Sequence, residues 1–433
     1  MLPPDNRRRY AAYIGGYAVA FTAMYGLLFV LGKVSQLPSA DSLVSWDAVY
    51  YQSIAEQGYR YSGGRTANAG FFPLFPYIWK LTGLGGVGVS LLNAGIYIGS
   101  LWWLCILLRP RPITLGLFCA LPFLFFMYIP LSEAWFFAAA TLVLHGIVRK
   151  QQRIIFLGLL AAGLARPTFL FLIPALVGAE LLIKPKRAAR TDTMWWTILI
   201  WYALPTTLAI GVVALVQYIQ IGEPFAYYET QSEGWGRQFG LPVFPLAGGR
   251  EGLIPYLRDV NLWIGVLASG FGLTYLFRWL LRDRLPPSVQ QIDLVAIIYL
   301  CMCLVSIVFF NPEWSYASGG GYHATTLTGI NRYIQANPFL LVFFVHVFDR
   351  PPTSRRFLLP LFVGTYLLWF AIDLRYYAHI QRLLSVSYVT LLLLPYWLFY
   401  FVRWKPIGVA LVIASLYLQC VMLDNFMSDV QVD

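Results

Sequence analysis

The sequence predicts an all-α membrane protein that crosses the bilayer many times, on three observations. Of its 433 residues, 59% are hydrophobic and only 12% charged, where soluble domains run near 45–50% and about 25%. Mean hydropathy is +0.64. The apolar residues also gather into runs of helix-spanning length separated by basic or aromatic connections. Together these exclude a disordered chain, a coiled coil and an ordinary soluble enzyme.

A hydrocarbon core about 30 Å thick needs roughly 20 apolar residues per helix. About thirteen such runs follow one another, at about 11–33, 87–108, 113–130, 134–148, 154–165, 168–183, 194–217, 260–281, 292–310, 333–348, 357–374, 384–402 and 407–424. The pair 154–165 and 168–183 is too short for two ordinary spans and is read as a broken or re-entrant hairpin. The whole chain, 1–433, is expected to form one membrane domain. Its first run, about 23 residues with no small-residue cleavage site behind it, is read as a retained signal-anchor.

Basic residues set the orientation, because loops rich in Lys and Arg stay in the cytoplasm. Alternate connections collect 20 of the 31 basic residues, among them Arg7, Arg8, Arg9, Arg149, Lys150, Arg153, Arg282 and Arg284, and the opposite side holds 10. The N-terminus is therefore expected in the cytoplasm. The formal charge of +11 is mostly this topology signal together with attraction to anionic headgroups of the surrounding membrane lipids. No basic and aromatic patch for nucleic acid is present. The five cysteines all fall in predicted spans, are odd in number, and read as small packing residues.

Connections on the cytoplasmic side are too short for a nucleotide-binding domain. The long ones, 34–86, 218–259 and 311–332, all lie on the other side. Loops longer than about 12–15 residues are usually functional or disordered. These three carry Trp46, Tyr50, Tyr51, Tyr59, Trp235, Trp314 and Tyr322, a composition suited to the membrane interface and to stacking on sugar rings.

The first loop opens with a short helix, predicted with Ser45 as N-cap and Gly58 just past its end. Trp46, Val49, Tyr50 and Ser53 form one stripe, expected to rest on the membrane surface. Asp47 in its first turn reads either as an acid complementing the helix dipole or as a general base for an acceptor hydroxyl, and position alone does not choose. Glu133 sits at a bilayer boundary, where a charge is costly unless paired. Arg166, beside Pro167 at the turn of the short hairpin, is its expected partner. Arg332 enters the mouth of a span, where it either snorkels to headgroups or holds a lipid phosphate. His323 alone reads as a hydrogen-bonded loop histidine.

Other signals are absent or false. Gly83-Leu84-Gly85-Gly86-Val87-Gly88 satisfies G-x-G-x-x-G but follows no strand and leads into a span, so it is not a dinucleotide loop. There is no D-x-D pair, Walker A sequence, H-E-x-x-H or clustered Cys/His set. Nothing in the sequence calls for a metal or other cofactor.

Trp46-Asp47-Ala48-x-x-Tyr51-x-x-Ile54-Ala55-x-x-Gly58-Tyr59, Phe71-Phe72-Pro73-Leu74-Phe75-Pro76, Leu131-Ser132-Glu133, Ala165-Arg166-Pro167-Thr168 and Gln231-x-x-x-Trp235-Gly236-Arg237 occur in that order over about residues 40–240. As a set they resemble the PIG-V-type mannosyltransferases, the family of the enzyme that adds the second mannose in GPI assembly. The resemblance implies a GT-C glycosyltransferase fold, a many-spanning helical enzyme whose site faces away from the cytoplasm, with which the count of about thirteen runs agrees. It further implies a polyprenyl-phosphate-linked sugar donor, no metal, and inversion at the anomeric carbon. On it, Asp47 is the general base and Arg332, with His323, holds the donor phosphate. Trp46, Tyr51, Glu133, Arg166, Gln231, Trp235 and Arg237 line or brace the site. The acceptor is expected to be a lipid or glycan hydroxyl, and the setting a prokaryotic plasma membrane, or the ER membrane if the chain is eukaryotic. The competing expectations are a flippase for lipid-linked sugars, a GT-C transferase for another sugar, and a non-catalytic partner subunit, which would lack Asp47.

Overall fold

In the computed structural model, the residues described are 4–61, 63, 66–184, 192–242, 246, 253–310, 313–315, 323–325, 327–350, 360–368 and 405–429. Their helices are α1 (Pro4–Val30), α2 (Asp47–Gln57), α3 (Leu74–Thr82), α4 (Gly86–Leu108), α5 (Pro112–Cys119), α6 (Glu133–Arg149), α7 (Gln152–Ala165), α8 (Leu172–Ile183), α9 (Asp192–Thr197), α10 (Leu204–Ile221), α11 (Ala226–Glu229), α12 (Leu253–Arg282), α13 (Gln291–Phe309), α14 (Ile330–Gln335), α15 (Pro338–Phe344) and, at the end of the chain, α16 (Lys405–Met427). A further helix covers 360–368.

Six stretches among the described residues are long and apolar enough to cross a membrane: Asn6–Val30, Gly86–Leu108, Met194–Ile221, Val260–Arg282, Gln291–Phe309 and Pro406–Met427. The protein is thus a multi-pass, membrane-embedded helical protein. Each of these stretches coincides with a run expected from the sequence. Five other expected runs are shorter helices or are broken, and the run 384–402 and half of 357–374 lie outside the described residues.

The breaks have local causes. The run 113–130 stops as a helix at Cys119 and resumes as a 3-10 segment, Pro122–Met127, because proline supplies no N–H and excludes the preceding residue from helical geometry. The run 333–348 divides between α14 and α15. There the Asn337 side chain accepts from the backbone N–H groups of Phe339 and Leu340, and Pro338 occupies the first helical position, a strong start signal inside an apolar run. The pair 154–165 and 168–183 is broken between its members by extended Arg166 and the 3-10 segment Pro167–Phe171, and its two helices pack apart, α7 on α6 and α10 and α8 on α13.

The α6/α7 contact is close because Gly146 and Gly158 face it. A Cβ on Gly158 would sit 2.9 Å from Val143 N and 3.0 Å from Ala139 O, so only a small residue lets the two backbones approach. The core centres on the aromatic run Phe123–Phe126, wholly buried against α4, α6, α14 and α16.

The first long connection folds over one end of this bundle as α2, a 3-10 turn Asn68–Gly70, and α3. Gly58, at φ 81, ends α2 as expected. The start differs from the sequence reading: Trp46, not Ser45, occupies the cap position, at φ 58 and without a side-chain cap, and Ser45 Oγ donates back to Ser42 O at 3.3 Å. The buried face is also the other one, Ala48, Tyr51, Ile54 and Ala55. Tyr51 packs edge-on against Phe71 and Phe75, which turns Val49 outward. The second connection is shorter than 218–259, since α12 begins at Leu253. In the third, β1 (Glu313–Ser315) pairs antiparallel with β2 (His323–Thr325), Trp314 opposite Ala324.

Candidate functional site

Two helix N-termini carry the acids. Asp47 is the first residue of α2 and Glu133 the first of α6, where the free N–H groups favour negative charge. Trp46 before Asp47 has a positive φ, uncommon for a bulky residue, and this strained backbone places Asp47 at the end of the bundle.

Two arginines meet them. Arg166 is held extended between α7 and Pro167, the conformation a following proline imposes, and its Nη1 pairs with Glu133 Oε1. The pair expected from the sequence is therefore formed. Arg332, on α14, donates through Nε to the same Glu133 oxygen and through Nη1 to Asp47 Oδ2. Its guanidinium also lies 5.4 Å above the Phe126 ring, a cation–π contact. The result is an alternating chain, Asp47–Arg332–Glu133–Arg166. The Glu133 side chain is 0% exposed, Arg166 9% and Arg332 10%, whereas Asp47 is 35% exposed. Asp47 is the member of the chain that a molecule arriving from solvent meets first.

Around this chain the second connection builds a wall. Arg237 Nη1 donates to Tyr333 Oη at 3.0 Å, next in sequence to Arg332. Neighbouring Tyr333 and Tyr227, with the Asp47 carboxylate beyond them, hold the Arg237 guanidinium more firmly protonated than usual despite its burial. Gln231 Nε2 donates to Gly70 O at 3.1 Å. The Trp235 ring stands edge-on to Phe71 at 5.7 Å and Tyr50 at 5.9 Å; a Cβ on Gly70 would run into that ring. Tyr51 Oη and Ser132 Oγ are 2.7 Å apart, tying α2 to the turn before Glu133, and burial pushes the Tyr51 phenol up, so it stays neutral. Trp46 faces Phe426 of α16 at 6.2 Å.

Asp47, Glu133, Arg166, Arg332 and Arg237 thus converge, with Tyr51, Gln231 and Trp235 bracing them and Trp46 directed toward α16. His323 is known here only as backbone of β2; its side chain lies outside the described residues. Two features went unread in the sequence. One is a buried amide chain below Arg332: Asn261 Nδ2 donates to Asn331 Oδ1 at 2.7 Å, Gln335 Nε2 to Asn261 Oδ1 at 2.9 Å, and Phe123 N to Gln335 Oε1 at 3.1 Å. Amides inside apolar runs were the available signal. The other is a cavity of about 240 Å³, bounded by Gln335, Leu257, Trp263, Phe343, Phe362 and Leu418 among others. An apolar cavity of about 150 Å³ already stays dry and takes up benzene.

Among the described residues no three His, Cys, Asp or Glu side chains converge as a metal-binding group. No family model matches the chain, and comparisons with curated proteins and with solved structures return no match.

Proposed function

We propose that this protein is a membrane glycosyltransferase of the GT-C kind. It moves a sugar, mannose on the motif resemblance, from a polyprenyl-phosphate donor to a lipid or glycan hydroxyl on the extracytoplasmic side. The single observation that carries the reading is the convergence of one solvent-reached carboxylate, Asp47, with three arginines, Arg332, Arg166 and Arg237, at the end of a membrane-embedded bundle.

The chemistry asks for such a set. An acceptor hydroxyl must lose its proton as it attacks the anomeric carbon, and a positioned carboxylate takes it. The leaving lipid phosphate is already an anion and needs fixed cations where its charge increases. In this reading Asp47 is the base and Arg332, with Arg237 beside it, receives the phosphate. Glu133 and Arg166 neutralise each other and hold Arg332 in place. The acceptor attacks from the face opposite the phosphate, which inverts the centre. The apolar cavity bordered by Gln335, on the same short helix as Arg332, suits a hydrocarbon chain, which supports a lipid-linked donor.

The test is transfer of radiolabelled mannose from a short-chain polyprenyl-phosphate mannose to extracted membrane lipids by the purified protein. Labelled lipid from wild type, reduced by about 10²–10⁴-fold in Asp47→Asn and Asp47→Ala, the usual contribution of a general base, supports the proposal. Equal transfer by all three would reduce Asp47 to a helix-terminal acid. A wild type that labels no lipid with mannose or with a panel of other lipid-linked sugars would remove the transferase reading.

A further inference from the structure

We infer that Arg332 is a latch on one oxygen of Asp47, released by the phosphate of an incoming lipid-phosphate ligand, so that the whole carboxylate is freed once that ligand is seated. The inference rests on the proposed function for the identity of the ligand, and on geometry for the latch.

The alternating chain is unequal along its length. Glu133, fully buried, has two cationic partners on its Oε1, Arg166 and Arg332. Arg332 can therefore withdraw without leaving a buried carboxylate uncompensated, the situation that makes breaking buried pairs costly. At the other end Asp47 is a third exposed, so water replaces the guanidinium when it leaves. An ion pair with one partner open to water contributes less than a fully buried one. Both bonds that Arg332 makes to acids are thus replaceable. By contrast, a phosphate accepts two parallel N–H bonds from a guanidinium, about twice as strong as neutral hydrogen bonds.

The site is also charge-poised for an anion. Among the described residues the two carboxylates balance Arg332 and Arg166, and Arg237 stands nearby as an additional cation within electrostatic reach of Asp47. Adding a phosphate compensates that excess. The Glu133 Oε2 atom, buried and with no hydrogen-bond partner among the described residues, marks the same pocket as incompletely satisfied. Arg332 sits on a six-residue helix that begins after Gly329 at φ 88 and is followed by the break at Asn337, so the element carrying it is short. While Arg332 donates to Asp47 Oδ2, it competes with an acceptor hydroxyl for that oxygen. The consequence is a preferred order, lipid phosphate first and hydroxyl acceptor second, which disfavours activation of water at an empty site.

The experiment reads Asp47 directly. The full-length protein in detergent is treated with a water-soluble carbodiimide and an amine, and modification of the Asp47 peptide is quantified by mass spectrometry. This is done without ligand, with a short-chain polyprenyl phosphate, and with the corresponding polyprenol. Binding of the phosphate is followed separately by intrinsic tryptophan fluorescence. The latch requires several-fold faster Asp47 modification with the phosphate and none with the alcohol. It also requires Arg332→Ala to be modified fast without ligand and indifferent to it, with thermal unfolding confirming that the variant is folded. Arg332→Lys, which keeps the cation but not the fork, supplies a second folded variant and should fall between the two. Unchanged modification in both variants overturns the latch whatever the fate of the proposed function. Fast modification in Arg332→Ala without a response of wild type to bound phosphate overturns the handover. Absence of phosphate binding overturns the handover together with the lipid-phosphate donor, while the variants still score the latch.

Discussion

Glu133 is the residue on which the site depends structurally, since one of its oxygens accepts from both Arg166 and Arg332. Replacing it by Gln keeps the shape and removes the charge, leaving two largely buried guanidiniums facing an amide. Uncompensated buried charge costs about 3–5 kcal/mol when one partner is removed, so Glu133→Gln should lower the unfolding temperature in detergent clearly, and more than Asp47→Asn, whose carboxylate is a third exposed. Thermal unfolding of the three proteins side by side checks this; equal temperatures would mean that water already screens Glu133. The Glu133–Arg166 pair was legible in the sequence because each residue ends an apolar run and the two runs adjoin. The bridge from Glu133 to Asp47 was not legible. Arg332 is distant from both in sequence, and only the packing of α14 under the first connection decides which of several boundary anions it reaches.

At the scale of elements, the α6/α7 pair fixes where Glu133 and Arg166 stand, one at the start of α6 and the other just past the end of α7. Gly158 lets these helices approach until their backbones nearly touch. Gly158→Leu should force them apart, at a cost of about 1–3 kcal/mol for overpacking, and should also weaken the proposed sugar transfer by displacing Arg166 from Glu133. Unfolding temperature and transfer measured together test this, and a variant that loses neither would show that the contact yields without strain. Elements whose signals are continuous, such as α4 and α13, were readable from apolar length alone. The broken ones were not, because Pro122 and Asn337-Pro338 read equally well as irregularities inside a span. Helix α2 shows the same limit on a smaller scale. Its stripe of Trp46, Val49, Tyr50 and Ser53 has helical spacing, but the opposite face is buried because Tyr51 finds Ser132 and two phenylalanine rings.

For the whole molecule, hydrogen bonds gather the basic segments at one end of the bundle. Tyr10 Oη donates to Pro110 O at 3.3 Å, Trp102 Nε1 to Arg7 O at 3.1 Å, and Arg111 N to Asp349 Oδ2 at 2.8 Å. Arg350 Nη2 reaches Asp293 Oδ1 at 3.1 Å, and Trp279 Nε1 reaches Lys184 O at 2.9 Å. Segments that alternate along the chain as basic connections are thus neighbours in space, while Asp47, Glu133, Arg166 and Arg332 converge elsewhere. If basic loops stay in the cytoplasm, the converged site faces the other way, where Gln57 at the end of α2 is exposed, and Gln151 between α6 and α7 is exposed on the cytoplasmic side. The five native cysteines are buried or half-buried, so single introduced thiols can be read against a low background. A membrane-impermeant maleimide applied to intact cells should label Gln57→Cys and leave Gln151→Cys untouched until the membrane is permeabilised. The reverse pattern would turn the molecule over. It would place Asp47 in the cytoplasm and separate the site from an extracytoplasmic acceptor, so the proposed side of the reaction would fall while the ion-pair chain itself stood.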